Sequence, residues 1–155
     1  MKSLKTLVLS FLLLLVCIQS SAQKDAVPLN EPNYNKPKLF ADLPQRMQLK
    51  MTEMETLFAA TVGSNINKQV SEQLRLQGTV VSVSDGQDAS VKSIVIRANN
   101  RLGAIFTFTR ITNTDGSYTY TGRMISREHG DAYELVKEND QYFLAKTALY
   151  DLLAE

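Results

Sequence analysis

The stretch "AIFTFTRITNTDGSYTYTGRMIS", residues 104–126, constrains the fold more than any other part of the chain. Apolar and polar side chains alternate on both sides of Asn113-Thr114-Asp115-Gly116. That is the pattern of two half-buried antiparallel strands joined by a tight turn. The turn residues select a type I turn followed by Gly116 in the left-handed conformation, a three-residue loop with a G1 bulge. Such a loop pairs Asn113 with Ser117, and the register follows by counting. Arg110 faces Tyr120, Phe108 faces Gly122 and Phe106 faces Met124. On the other face Ile111 meets Thr119, Thr109 meets Thr121, Thr107 meets Arg123 and Ile105 meets Ile125. One face is then aromatic and the other rich in threonine. A two-residue loop would put Phe108 opposite Arg123 and mix the two. The preferred register also sets Arg110 over Tyr120 as a cation–π pair.

Period two continues on both sides of this hairpin. "SEQLRLQGTVVSVS" alternates through Leu74, Leu76 and Gly78, then shifts phase near Val80-Val81, which suggests a bulge. "DGQD" at 85–88 is a turn, "VKSIVIRA" the next strand, and "NNRLG" at 99–103 another turn. "AYELVKE" and "QYFLAK" form a further hairpin across "END". "TALYDLLAE" closes the chain with a helical turn or two capped by Thr147 and bearing Leu149, Leu152 and Leu153. Ahead of the strands, Thr52-Glu53-Met54-Glu55 fits a capping box, Met54, Leu57, Phe58, Thr61 and Val62 follow at helical spacing, and Gly63 suits the stop. The expected fold class is α+β: an antiparallel meander of five or six strands, curved or partly closed, with a short N-terminal helix packed on it and a short C-terminal helix.

Residues 1–22 read as a signal peptide. Lys2 and Lys5 precede an apolar run from Phe11 to Ile18, and Ser20 and Ala22 suit cleavage before Gln23. The run is shorter than the roughly 20 residues of a membrane span. An uncleaved anchor is the weaker alternative. Bulky Val16 before Cys17 disfavours lipidation there. Cleavage leaves a chain without cysteine, hence without a disulfide, thiol catalysis or a cysteine-held metal, which suits a periplasmic or extracellular protein stabilised by its core. It also removes two of 17 basic residues, leaving 15 against 16 acidic ones. That near-neutral balance provides no general field for nucleic acid or anionic membrane.

All four prolines, at 28, 32, 37 and 44, cluster ahead of the helix. Residues 23–43 therefore read as an extended Pro-rich lead-in, docking through Tyr34, Leu39 and Phe40 or serving as an arm for a partner. Residues 44–155 read as one domain.

The only histidine, His129, stands in "SREHGDAYEL" between Glu128 and Asp131. Its place between two strands, with Gly130 for a permissive dihedral and Asp131 to bond the local backbone, accounts for it as a turn. Metal hydrolysis normally takes about three protein ligands, and the spacing is not that of a calcium loop. A Ser/His/Asp arrangement has no Gly-x-Ser-x-Gly elbow to support it. Glu134, Glu138 and Asp140 add carboxylates, read as a solvated face rather than a glycosidase pair. Arg97, Arg101, Arg110, Arg123 and Arg127 read as edge charges, or as a carboxylate-binding edge if they converge. No cofactor motif is present.

The leading expectation is a small exported, non-catalytic binding or accessory module. Its ligand would sit between sheet and helix, at Phe58, Phe106, Phe108, Tyr120 and Met124, which are also the expected core. The alternatives are a small hydrolase using His129 with Asp131 or Glu128, and a prodomain-like or inhibitory partner of another exported protein.

Overall fold

The protein is represented by a computed structural model in which residues 36–84 and 90–153 are described. The signal-peptide reading, Cys17, the lead-in up to residue 35 including Tyr34, and the turn at 85–88 lie outside the described residues.

Three-residue β1 (Arg46–Gln48) leads into helix α1 (Met51–Thr56) and a 3-10 turn (Leu57–Ala59). There follow β2 (Asn65–Gln69), β3 (Arg75–Ser84), β4 (Val91–Ala98), β5 (Ala104–Thr112), β6 (Tyr118–Ser126), β7 (Asp131–Glu138), β8 (Gln141–Ala148) and helix α2 (Leu149–Leu153). All the strands form one antiparallel sheet in the order β1-β8-β7-β6-β5-β4-β3-β2, curled into a half-barrel. The antiparallel α+β expectation holds. Its strand number does not, because the six-stranded meander β3–β8 gains β1 and β2 at its edges. Neither added strand carries a signal of its own: β1 is Arg-Met-Gln, and β2 has Ile66 as its one apolar residue. Their partners define them, β8 for β1 and β3 for β2.

The β5–β6 register is the one the turn dictates, from Thr112↔Tyr118 to Ala104↔Ser126. Gly116 has φ +82°, and the Asn113 N–H donates to the Ser117 carbonyl at 2.8 Å. The phase shift in β3 is a bulge between Val80 and Ser82. It lets Val80 and Val83 both pair with inward-facing β4 residues, Ile96 and Ile94.

The helix departs from expectation. Lys50, not Thr52, is the N-cap, no side chain caps it, and the α-helix ends at Thr56. The capping box fails because Glu55 is drawn away, its carboxylate accepting from Arg110 Nη1 at 2.6 Å. Gly63 (φ +86°) serves a turn beyond the 3-10 segment, where its N–H donates to the Val80 carbonyl. Arg110 is also displaced from the expected pairing: it lies 4.5 Å from the Tyr118 ring centroid and 5.2 Å from that of Phe58, while Tyr120 stacks on Phe108.

The inner face is continuous core. Phe106, Phe108 and Met124 are fully buried together with Leu76, Ile94, Ile96, Tyr133 and Leu144. Met54 and Leu57 close it from the helix side, and Phe40 and Leu43 from the leading segment. Among the described residues no helix is long and apolar enough to cross a membrane.

Candidate functional site

The structure resolves the histidine cluster into a clamp on the leading segment. Lys36 pairs with Glu128. His129 Nδ1 lies 2.8 Å from the Pro37 carbonyl oxygen. A carbonyl only accepts, so Nδ1 carries the proton. Lys38 Nζ donates to the carbonyls of His129 and Gly130. Asp131, largely buried, accepts the Phe40 N–H at 2.8 Å and lies 3.8 Å from Lys38 Nζ. Asp131 thus bonds backbone ninety-one residues distant rather than its own turn, which corrects that expectation. Lys36 holds the Glu128 carboxyl below its ordinary range.

Further along, Arg101 takes the Leu39 carbonyl, Lys146 Nζ takes those of Phe40 and Leu43, and Tyr133 donates to that of Pro44. Each of these side chains satisfies backbone that no strand serves, which is what fixes a segment lacking regular structure. The register sets Ser126 opposite Asp131, but the buried Ser126 Oγ has no hydrogen-bond partner among the described residues, while Asp131 Oδ2 and His129 Nδ1 both face the leading segment. Serine, histidine and carboxylate are adjacent in the fold without forming a relay.

The five aromatic-face candidates share the inner face, where they meet one another. Phe108 stands between Phe58 at 5.0 Å and Tyr120 at 5.5 Å, and Phe106 follows at 6.4 Å. Burial and the Glu55 carboxylate push the Tyr120 phenol well above its ordinary value. Beside it Glu55 Oε1 and Arg110 Nε are buried without a well-formed hydrogen bond among the described residues. The five arginines do not converge. Arg110 shares the inner face with Phe108, whereas Arg97 and Arg123 alternate with buried residues and point outward.

Among the described residues two polar openings lie away from this packed face, and no motif along the chain announces either. The larger, about 590 Å³, runs between β1, the start of α1 and the β2–β3 connection, with Arg46, Gln48, Lys50, Glu53, Glu72 and Gln73 on its walls. It marks where the sheet's two edges approach: the Lys50 N–H donates to the Val70 carbonyl just beyond β2. A small one, about 200 Å³, opens beside Thr107, Thr121, Arg123 and Glu134. Both depend on where strands stop pairing, which alternation along a single strand does not encode. Among the described residues no three His, Cys, Asp or Glu side chains group as metal ligands.

Comparison of the chain with protein-family models, curated proteins and solved structures finds no match.

Proposed function

We propose that the protein is a small exported binding or accessory module that meets a polar, extended segment of another exported protein at the opening between β1 and the β2–β3 connection. The observation that carries this reading is the contrast between the two faces on offer. The aromatic face is occupied by its own rings, with Phe108 fully buried between Phe58 and Tyr120. The edge opening is bounded by both acidic and basic side chains. Beside it runs β1, which among the described residues is paired to β8 on one side only. A strand edge with a polar groove offers backbone hydrogen bonds to an extended partner and charges to select it. The basic, apolar and small-residue order of residues 1–22 supports export.

A photo-crosslinking residue placed at Gln48 or Gln73, in the producing cells, tests the reading. One recurrent adduct from both positions, absent from the same probe at Thr114 in the exposed β5–β6 turn, is expected. Adducts equally frequent at Thr114, or none from the groove, would overturn it. So would saturable uptake of an apolar fluorophore that Phe58→Ala abolishes.

A further inference from the structure

β6 and β7 part company before either ends. Their pairing covers Arg123↔Glu134 to Ser126↔Asp131 and stops there. Yet β6 extends back to Tyr118, still paired with β5, and β7 runs on to Glu138, still paired with β8. The sheet therefore forks. Gly122 sits at the branch: a Cβ there would lie 2.6 Å from the Thr107 carbonyl oxygen, so only glycine lets β6 lean this far toward β5. On the inner side the fork is bridged by Tyr142, whose hydroxyl lies 3.4 Å from the Tyr120 N–H, with the two rings edge-on at 5.2 Å. On the outer side it holds the 200 Å³ opening.

The polarity of the two walls follows from the ladder. The Asn113 N–H bonds the Ser117 carbonyl, so odd-numbered residues of β6 exchange hydrogen bonds with β5 and even-numbered ones face β7. The Gly122 N–H consequently points into the fork, where the ladder stops short of a reciprocal Gly122–Leu135 pair. On the β6 wall stand this donor, the Arg123 guanidinium and the Thr121 hydroxyl, with Thr107 and Thr109 behind them on β5. On the β7 wall stand Leu135, whose carbonyl the same alternation turns toward β6, and Glu134. Arg123 and Glu134 are cross-strand neighbours, but neither takes part in an ion pair among the described residues.

We infer that the fork is a binding site for a small zwitterion of the α-amino-acid or short-peptide class, its carboxylate held by Arg123 and the Gly122 N–H, its ammonium by Glu134 and the Leu135 carbonyl. One wall supplies donors and a cation, the other acceptors and an anion, which is the complement of a molecule carrying both termini. The opening is smaller than the roughly 300 Å³ at which drug-sized pockets begin, which limits the ligand to such a size. This site shares no residue with the groove beside β1 and stands or falls separately from the reading placed there.

The test is a titration of the isotope-labelled protein with alanine, dialanine and trialanine, followed by amide NMR. N-acetylalanine N-methylamide, which lacks both charges, is the control. Saturable shifts at Gly122, Arg123 and Leu135 with at least one zwitterion and none with the blocked compound are expected. The three lengths tell a free amino acid from a peptide. Arg123→Gln and Glu134→Gln, both at exposed or half-exposed positions, should each weaken binding by about tenfold or more. Arg123→Lys should restore part of the loss. If no zwitterion shifts these amides at millimolar concentration, if the blocked compound shifts them equally, or if the two glutamine variants bind as the wild type does while their spectra stay folded, the assignment is wrong.

Discussion

Arg101 closes both terminal nitrogens on the Asp42 carboxylate, at 2.9 and 2.7 Å, across fifty-nine residues of chain. The same guanidinium holds the Leu39 carbonyl at 3.0 Å. One side chain in the β4–β5 turn thereby ties down the segment that leads into the sheet. The Arg101 bond holds the Asp42 carboxyl below its ordinary 3.8. A carboxyl depressed in the folded state contributes stability above its unfolded pKa and loses it as pH falls through the folded one. Asp42 is mostly exposed, so screening limits the contribution to about 1 kcal/mol or less. Asp42→Asn should therefore melt below the wild type at pH 7, with the gap closing as pH drops below about 4. A gap that stays constant to pH 2 would show that the pair adds nothing electrostatic.

The leading segment is also pinned from below. Phe40 is fully buried against Tyr133, ring centroids 5.7 Å apart, and its N–H has Asp131 as partner. Asp131→Ala leaves that buried donor without its acceptor and should cost about 1–3 kcal/mol in urea unfolding. Asp131→Asn keeps an acceptor oxygen and should cost less. Phe40→Ala removes a ring from the core and should cost about 3–5 kcal/mol. If Phe40→Ala unfolds at the wild-type midpoint, the segment is not part of the cooperative unit.

Two glycines separate steric crowding from backbone strain. At Gly122 a Cβ meets the Thr107 backbone oxygen at 2.6 Å, and backbone in a paired strand cannot yield as a side chain can. Gly116 has open space around it but φ +82°. Gly116→Ala should cost about 1–2 kcal/mol, the strain of the left-handed conformation. Gly122→Ala should cost more, near or above the ~3 kcal/mol end of overpacking. Thermal melts of the two variants rank them, and equal losses would show that β6 relaxes away from β5 without penalty.

These particulars show how much of the molecule was legible in its sequence. The β5–β6 hairpin was readable residue by residue because its turn and alternation are local and agree. The outer strands were not, because Arg46–Gln48 and Asn65–Gln69 are strands only by virtue of their neighbours. Glu55 looked like half of a capping box because nothing local reveals Arg110, fifty-five residues away. His129 lies in the β6–β7 turn and Asp131 opens β7, but the backbone both hold is about ninety residues away, which nothing local reveals. The polar openings were invisible for the same reason. They arise where pairing ends, at the Arg123–Glu134 rung and beside β1, and pairing ends for tertiary reasons.

The alkaline limit of the fold should depend on Tyr133. Burial pushes its phenol up to about 12, against Arg101, which pulls it down, and with the charges of Asp42 and Asp131, which add to the rise. The folded state thus keeps a proton that the unfolded chain releases near pH 10. Stability gained by burying the neutral phenol is complete below that pH and is lost as pH rises from about 10 toward the folded value. Tyr133→Phe removes this loss but also the bond to the Pro44 carbonyl, worth about 1 kcal/mol at neutral pH. Denaturation midpoints should therefore favour the wild type at pH 7, converge above pH 10 and then cross. Tyr120, also raised, remains in both proteins and cancels from the difference. Ultraviolet titration of the wild type should show one more late-ionising tyrosine than the variant does. Parallel stability curves from pH 7 to 11, with the same number of late tyrosines, would mean that the Tyr133 hydroxyl is open to water and that the Pro44 contact does not hold the segment.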